Sequence, residues 1–199
     1  VWVRNVETLK DVDFIVLPGS KHVSSDLAWL RSTGIADKVV QLARTGARIL
    51  GICGGLQMLG EQLVDEADVD GNAVGLGLLP LTTKFKPEKR TVHVGTRFEA
   101  MDEPWKSLSG IAFSGYEIRH GKTSVTAPVN SALAGGLGYV KGSILAVYTH
   151  GLFESSDVVR ALFSGVATTT LDDTFEQLAD ALDENLEMST IARLAMIAM

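Results

Sequence analysis

Only one cysteine occurs in the 199 residues, Cys53. That excludes an internal disulfide framework and a thiolate zinc cage, and leaves either an inert buried thiol or a reactive one. Long apolar runs are missing as well: none approaches the roughly 20 residues that cross a bilayer. The start of the chain, Val1, Trp2, Val3, Arg4, has neither the basic lead nor the apolar stretch of a signal peptide. No block of lysine or arginine interrupts a net charge of −6, which argues against a nucleic-acid footprint and against binding to an anionic membrane surface. No phosphate loop of the form GxxxxGKS/T occurs, so the chain lacks that means of gripping ATP. These absences leave a soluble protein of a reducing, cytoplasmic setting that acts on a small molecule or with a protein partner. The chain opens without methionine and runs almost at once into a strand-like segment, so it reads as part of something longer.

What is present is an ordinary globular balance, 46% hydrophobic and 21% charged, with length for one domain over residues 1–199. Residues 14–17 and 47–52 are short apolar runs, the first closed by Pro18-Gly19 and the second by glycines around Cys53; both read as buried parallel strands. Helices are expected at 24–30, capped by Ser24 or Ser25, at 35–45, stopped by Gly46, and at 55–64, with Leu56, Leu59 and Leu63 on one face. This order implies right-handed crossovers and an α/β layer fold. Segments 82–85, 91–98, 113–118 and 143–149 are rich in β-branched and aromatic residues and read as antiparallel additions. Helices are expected to close the chain at 157–165 and 175–195, the second with apolar positions Phe175, Leu178, Leu182, Leu186 and Ile191. The acidic stretch Glu66, Asp68, Asp70, Gly71 has a faint likeness to a calcium loop, but Gly77 stands where the bidentate glutamate belongs; it reads as a solvated loop.

The segment Gly51-Ile52-Cys53-Gly54-Gly55 sets the cysteine between a strand end and a helix start, flanked by glycines that permit a nucleophile elbow. A helix N-terminus lowers a thiol pKa, and its exposed N–H groups, that of Gly54 in particular, can hold an oxyanion. A thiolate nucleophile wants a histidine, and there are four: His22, His93, His120 and His150. His150 follows a strand-like run and emerges at a strand end, as Cys53 does. His93 falls inside an expected strand and His22 in a polar loop, so both read as structural or exposed; His120 stays open.

Five segments match a known family in its own order: LPGSKHVSSDLAWLR from Leu17, GICGGLQMLG from Gly51, GLGLLPLTTKF from Gly75, SGYEIRHG from Ser114 and YTHGLFE from Tyr148. Across residues 12–165 the chain resembles the glutaminase domain of the cobyric acid synthases, a branch of the class I (triad) glutamine amidotransferases. GICGG with a later HGLF is specific to the cobyric and cobyrinic acid branch and its relatives. PGSK followed by DLxWLR points to cobyric acid synthases and weighs against the related cobyrinic acid a,c-diamide synthases and lipid II amidotransferases. The resemblance implies a flavodoxin-like fold, a mostly parallel sheet with helices on both faces plus antiparallel additions. It makes Cys53 the nucleophile that becomes a glutamyl thioester and His150 its base. It gives Gly19 and Gly54 oxyanion N–H groups, and it places Gln57 and Ser20 in the glutamine pocket with Tyr116 and Glu117 at the rim. The family implies no metal or cofactor in this domain. ATP and Mg²⁺ would serve a synthetase domain, fused upstream or separate, that uses the ammonia to amidate corrinoid carboxylates in cobalamin biosynthesis.

Two positions depart from the pattern. Triad enzymes place a glutamate two residues after the histidine, where this chain has Leu152, so a Cys-His dyad is expected; Glu154 is either an orienting group or a helix N-terminal acid. Arg119 stands where the pattern after GYEI continues with histidine, and His120 is a shifted replacement or a loop residue. From another class, a cysteine hydrolase or stress-type protein of similar topology, or a non-catalytic module, would suit the elbow; Gln57 and the PGS loop argue for glutamine, and Cys53 with His150 argue against a module.

Overall fold

Two runs, Arg48–Ile52 and Ile144–Val147, are apolar almost throughout and buried almost throughout, as strands covered on both faces must be. They pair in parallel in the computed structural model, which describes residues 1–10, 12–163, 171–187, 190–191 and 193–194. In chain order the elements are β1 Phe14–Leu17, α1 Val23–Ser32, α2 Ile35–Arg44, β2 Arg48–Ile52, α3 Gly54–Leu59, β3 Gln62–Val64, β4 Ala73–Val74, β5 Leu81–Arg97, β6 Ala112–Val125, β7 Asn130–Leu133, β8 Gly138–Lys141, β9 Ile144–Val147, β10 Thr149–His150, α4 Ser156–Phe163 and α5 Leu171–Asn185. The chain divides into two compact units, Val1–Leu152 and Phe153–Met199.

The first unit holds two five-stranded sheets. One has the order β1-β2-β9-β8-β7, with β1, β2 and β9 parallel and β8 and β7 added antiparallel. The other has the order β10-β6-β5-β3-β4 and is dominated by the long β5–β6 hairpin. The α/β class is the expected one; of the segments expected as antiparallel additions, 82–85, 91–98 and 113–118 lie in the hairpin of the second sheet, whereas 144–147 is β9, parallel to β2 in the first. Expected strands 82–85 and 91–98 are one continuous strand, β5, whose register against β6 shifts between Lys84 and Lys89. The expected strand 143–149 is two strands, because the chain changes sheets at Tyr148. Val147 ends β9 in the first sheet and Thr149 begins β10 in the second. Tyr148 is fully buried, and its hydroxyl is hydrogen-bonded to Thr123 of β6.

α1 buries Val23, Leu27 and Leu30, one stripe of a helix, and α2 buries Ile35, Ala36 and Val39. Together with Ile49, Ala146 and Tyr148, and with Leu63, Leu81 and Phe85 of the second sheet, they form one apolar cluster. α3 is shorter than expected. It ends at Leu59, Gly60 is extended, and residues 62–64 are strand β3. In the second unit α4 occupies 156–163 and α5 occupies 171–185, with Phe175, Leu178 and Leu182 exposed. Residues 164–165 and several beyond 187 of the expected closing helices lie outside the described residues.

Close approach of backbones sets the elbow. A Cβ added at Gly55 would lie 2.0 Å from the Leu17 carbonyl oxygen, so α3 sits against the end of β1 only because that atom is missing. A Cβ at Gly95 on β5 would meet nothing within 4 Å. Gly55→Ala is therefore expected to cost on the order of 3 kcal/mol, the range of overpacking against unyielding backbone, whereas Gly95→Ala changes stability by about 0.5 kcal/mol or less. Thermal or urea unfolding of the two variants side by side checks this.

Candidate active site

Cys53 follows β2 directly and serves as the N-cap of α3, with φ 51° and ψ −104°. A non-glycine residue at positive φ is strained, and such strain collects at functional turns. Both of its backbone groups are engaged: its N–H donates to the Val147 carbonyl at 2.8 Å, and its carbonyl accepts from the Gln57 N–H at 3.2 Å. The thiol donates to the carbonyl oxygen of Ile118 on β6 at 3.2 Å. Burial pushes the thiol above its ordinary pKa; the Gly54 N–H and the Arg119 charge pull it down without reversing this, and the Glu117 charge adds to the rise. The lowered pKa expected from a helix N-terminus is thus corrected: desolvation outweighs the short helix α3, and the resting sulfur is a thiol.

His150 arrives from the other sheet. β10 pairs with β6, with His150 opposite Tyr116 and Thr149 opposite Glu117. The imidazole is stacked on the Tyr116 ring, centroids 5.5 Å apart and planes 7° from parallel. A Cβ at Gly115 would lie 2.0 Å from the His150 carbonyl oxygen, so glycine there is what lets β10 lie so close. Burial pushes the imidazole below its ordinary pKa, and a hydrogen bond to the Ile118 carbonyl draws it partly back. Ile118 thus bears on both groups, accepting from the Cys53 thiol and tempering the fall of the His150 pKa. Glu154, the local candidate for an orienting group, is exposed.

The Ile118 peptide is held from both sides. Glu117, 1% exposed, accepts from Arg90 Nε at 2.6 Å and from Arg119 Nε at 2.5 Å. Burial alone would raise its pKa, but the two guanidinium groups hold it below the usual carboxylate range. Arg119 also lies over the Tyr148 ring at 4.0 Å.

A cavity of about 860 Å³ opens beside Cys53 and His150, lined among others by Gly19, Ser20, Gln57, Ile118, Arg119 and His120. Gly19 lies against both residues: a Cβ there would be 3.1 Å from His150 Cε1 and 3.8 Å from Cys53 Cβ. Ser20 N would sit 2.7 Å from a Cβ on Gly54, so the loop after β1 rides directly over the elbow. Gln57 is buried, and its amide donates to the His120 carbonyl at 3.4 Å. Tyr116 reaches the site through its stack on His150. Glu117, expected at the rim, is turned into the arginine pair and is not among the lining residues. His93 is exposed on β5, whereas His22 lines the cavity. The contribution of Ile118 has no signature in the sequence, because it is made by a backbone atom. Among the described residues no three His, Cys, Asp or Glu side chains come together as metal ligands.

With this geometry in hand, the profile of the CobB/CobQ-like glutamine amidotransferase domain matches residues 1–158. The chain belongs to this family. It is 45% identical over 196 residues to a cobyric acid synthase of Variovorax paradoxus (strain S110), covering 96% of this chain and 41% of that protein. To a cobyric acid synthase of Paracidovorax citrulli (strain AAC00-1) it is 47% identical over 192 residues, 92% of this chain and 39% of the other. The chain thus spans about two fifths of the length of these relatives. Among solved structures it resembles a glutamine amidotransferase (TM-score 0.62, 20% identity, 81% of this chain and 82% of the other). It also resembles PurLQS from Thermotoga maritima (TM-score 0.56, 18% identity, 79% and 82%). These likenesses establish the class I amidotransferase fold for the amidotransferase domain. No helix among the described residues is long and apolar enough to cross a membrane.

Two outcomes are expected. Because burial keeps His150 neutral below the ordinary imidazole pKa, the acid limb of the pH profile of kcat/KM lies on the acid side of that value; Tyr116→Ala, which strips one face of the ring of cover, moves the limb up toward it. Glu117→Gln leaves the largely buried Arg119 without its counter-charge and costs roughly 3 kcal/mol, the scale for breaking one side of a buried pair. Chemical denaturation measures the second directly.

Proposed function

We propose that this domain hydrolyses glutamine through a thioester on Cys53 and releases ammonia for an ATP-dependent amidation. The reading is supported by one observation: Cys53 and His150 line the same cavity as Gly19, Ser20 and Gln57, and a Cβ on Gly19 would lie 3.1 Å from His150 Cε1 and 3.8 Å from Cys53 Cβ. In the reaction His150 takes the thiol proton as the sulfur attacks Cδ of the glutamine side chain. The carbonyl π electrons move to oxygen, and the resulting oxyanion is met by the N–H of Gly54 and those of the Gly19-Ser20 loop above it. When the C–N bond breaks, His150 returns its proton to the leaving nitrogen and ammonia departs. Water, deprotonated by His150, then attacks the thioester, releasing glutamate and restoring the thiol. A thiol protonated at rest suits this sequence, since proton transfer to His150 accompanies attack.

The similarity to cobyric acid synthases favours a corrinoid carboxylate as the final acceptor, with ATP and Mg²⁺ handled by a synthetase portion to which no residue of this chain is assigned. A cobyrinic acid a,c-diamide synthase is the nearest alternative within the same family. To test the chemistry, the full-length protein is incubated with labelled glutamine and quenched in acid. A glutamyl adduct on Cys53 is expected, and Cys53→Ser should lower ammonia release by roughly a thousandfold or more, as removal of a nucleophile does. An adduct on another residue, or ammonia release that survives Cys53→Ser, overturns the reading.

A further inference from the structure

The charged side chains that line the cavity are unequal in sign: Lys21, Lys89 and Arg119 are cationic, and Asp70 is the sole carboxylate among the described residues. Asp70 lies in the loop between β3 and β4, a stretch that the sequence presents as solvated. The loop itself is built on a different acid. Asp65 accepts from the N–H groups of Ala67 (3.1 Å), Val69 (2.8 Å), Asp70 (2.7 Å) and Gly71 (2.7 Å), so its carboxylate is spent on backbone. The Asp70 carboxylate takes no part in this.

Instead its Oδ2 accepts from the Ser24 N–H in the first turn of α1 at 2.8 Å, and the Ser24 hydroxyl donates to the Asp70 carbonyl at 2.6 Å. The Asp70 side chain is 4% exposed, and its Oδ1 is buried without a hydrogen bond from any described residue. His22 Nδ1 stands 3.8 Å from Oδ1, beyond hydrogen-bonding distance, on a side chain that is 77% exposed. Capping α1 uses one oxygen and accounts for one. A desolvated carboxylate oxygen with no donor is costly, and in a native site it calls for a partner.

We propose that Asp70 is the subsite for the α-ammonium group of the amino-acid substrate. This rests on the glutamine reading and deepens it. Oδ2 stays anchored on Ser24 while Oδ1 receives the ammonium, which takes the place vacated when the loosely held His22 ring turns outward. Lys21 and Lys89 are the lining cations left to meet the substrate carboxylate, since Arg119 is engaged by Glu117. The cavity then selects a zwitterion and not simply a primary amide.

The experiment compares two electrophiles on Cys53 in the full-length protein. Diazo-oxo-norleucine keeps the amino-acid head of glutamine, and iodoacetamide lacks it. Asp70→Asn keeps an oxygen for Ser24 and removes the charge. The ratio of the two labelling rates is expected to fall at least about tenfold in the variant, the contribution of one charge-assisted hydrogen bond. The preference for glutamine over glutaramate, the same amide without an amino group, should narrow by a similar factor. An unchanged ratio overturns the proposal, whether both rates hold or both fall together, because a collapsed site slows both reagents alike. If the unaltered protein releases no ammonia from glutamine, the functional reading itself is overturned, a result separate from any effect of Asp70.

Discussion

The carbonyl oxygen of Ile118 is the point on which the site depends. The thiol of Cys53 donates to it at 3.2 Å, and it tempers the fall of the His150 pKa. A carbonyl can only accept. It therefore offers the imidazole no negative charge, and burial is free to push the ring's pKa down. Leu152 stands two residues after His150, so that position offers the imidazole no carboxylate.

That arrangement demands a rigid Ile118 peptide. Glu117 and Arg119 flank it in sequence and are bonded to each other, Arg90 closes the other side of the carboxylate, and Tyr148 stacks under Arg119. A buried ion pair of this kind contributes little net stability compared with apolar packing. Its value lies in holding one segment of β6 in one conformation.

Much of this was legible in the sequence, and the limits of legibility have physical reasons. The elbow around Cys53 could be read because glycines on both sides of a lone cysteine, between an apolar run and a helix, leave few alternative uses. His150 could be placed at a strand end for a similar reason, although the switch of sheets at Tyr148 could not: a run of apolar residues looks the same whether it stays in one sheet or passes between two. The helix from residue 55 is shorter than its apolar pattern because Leu63 fits both the helical stripe and the core face of β3, and only the extended Gly60 decides between them. The thiol pKa departs from what the elbow implies because the helix N-terminus is a local feature and burial is a tertiary one. Asp70 was read as solvated because charge runs usually are, and nothing in the letters separates the acid that builds the loop, Asp65, from the acid that the loop buries.

The change of sheet at Tyr148 places Cys53 and His150 on different supports: Cys53 continues from β2 in one sheet, and His150 lies on β10 in the other. One apolar cluster joins the two sheets, with Leu63 and Leu81 from one and Ile49 and Ala146 from the other. The placement of Cys53 relative to His150 is therefore held by packing between the sheets and not by either strand alone, so a change of volume in that cluster bears on both residues at once.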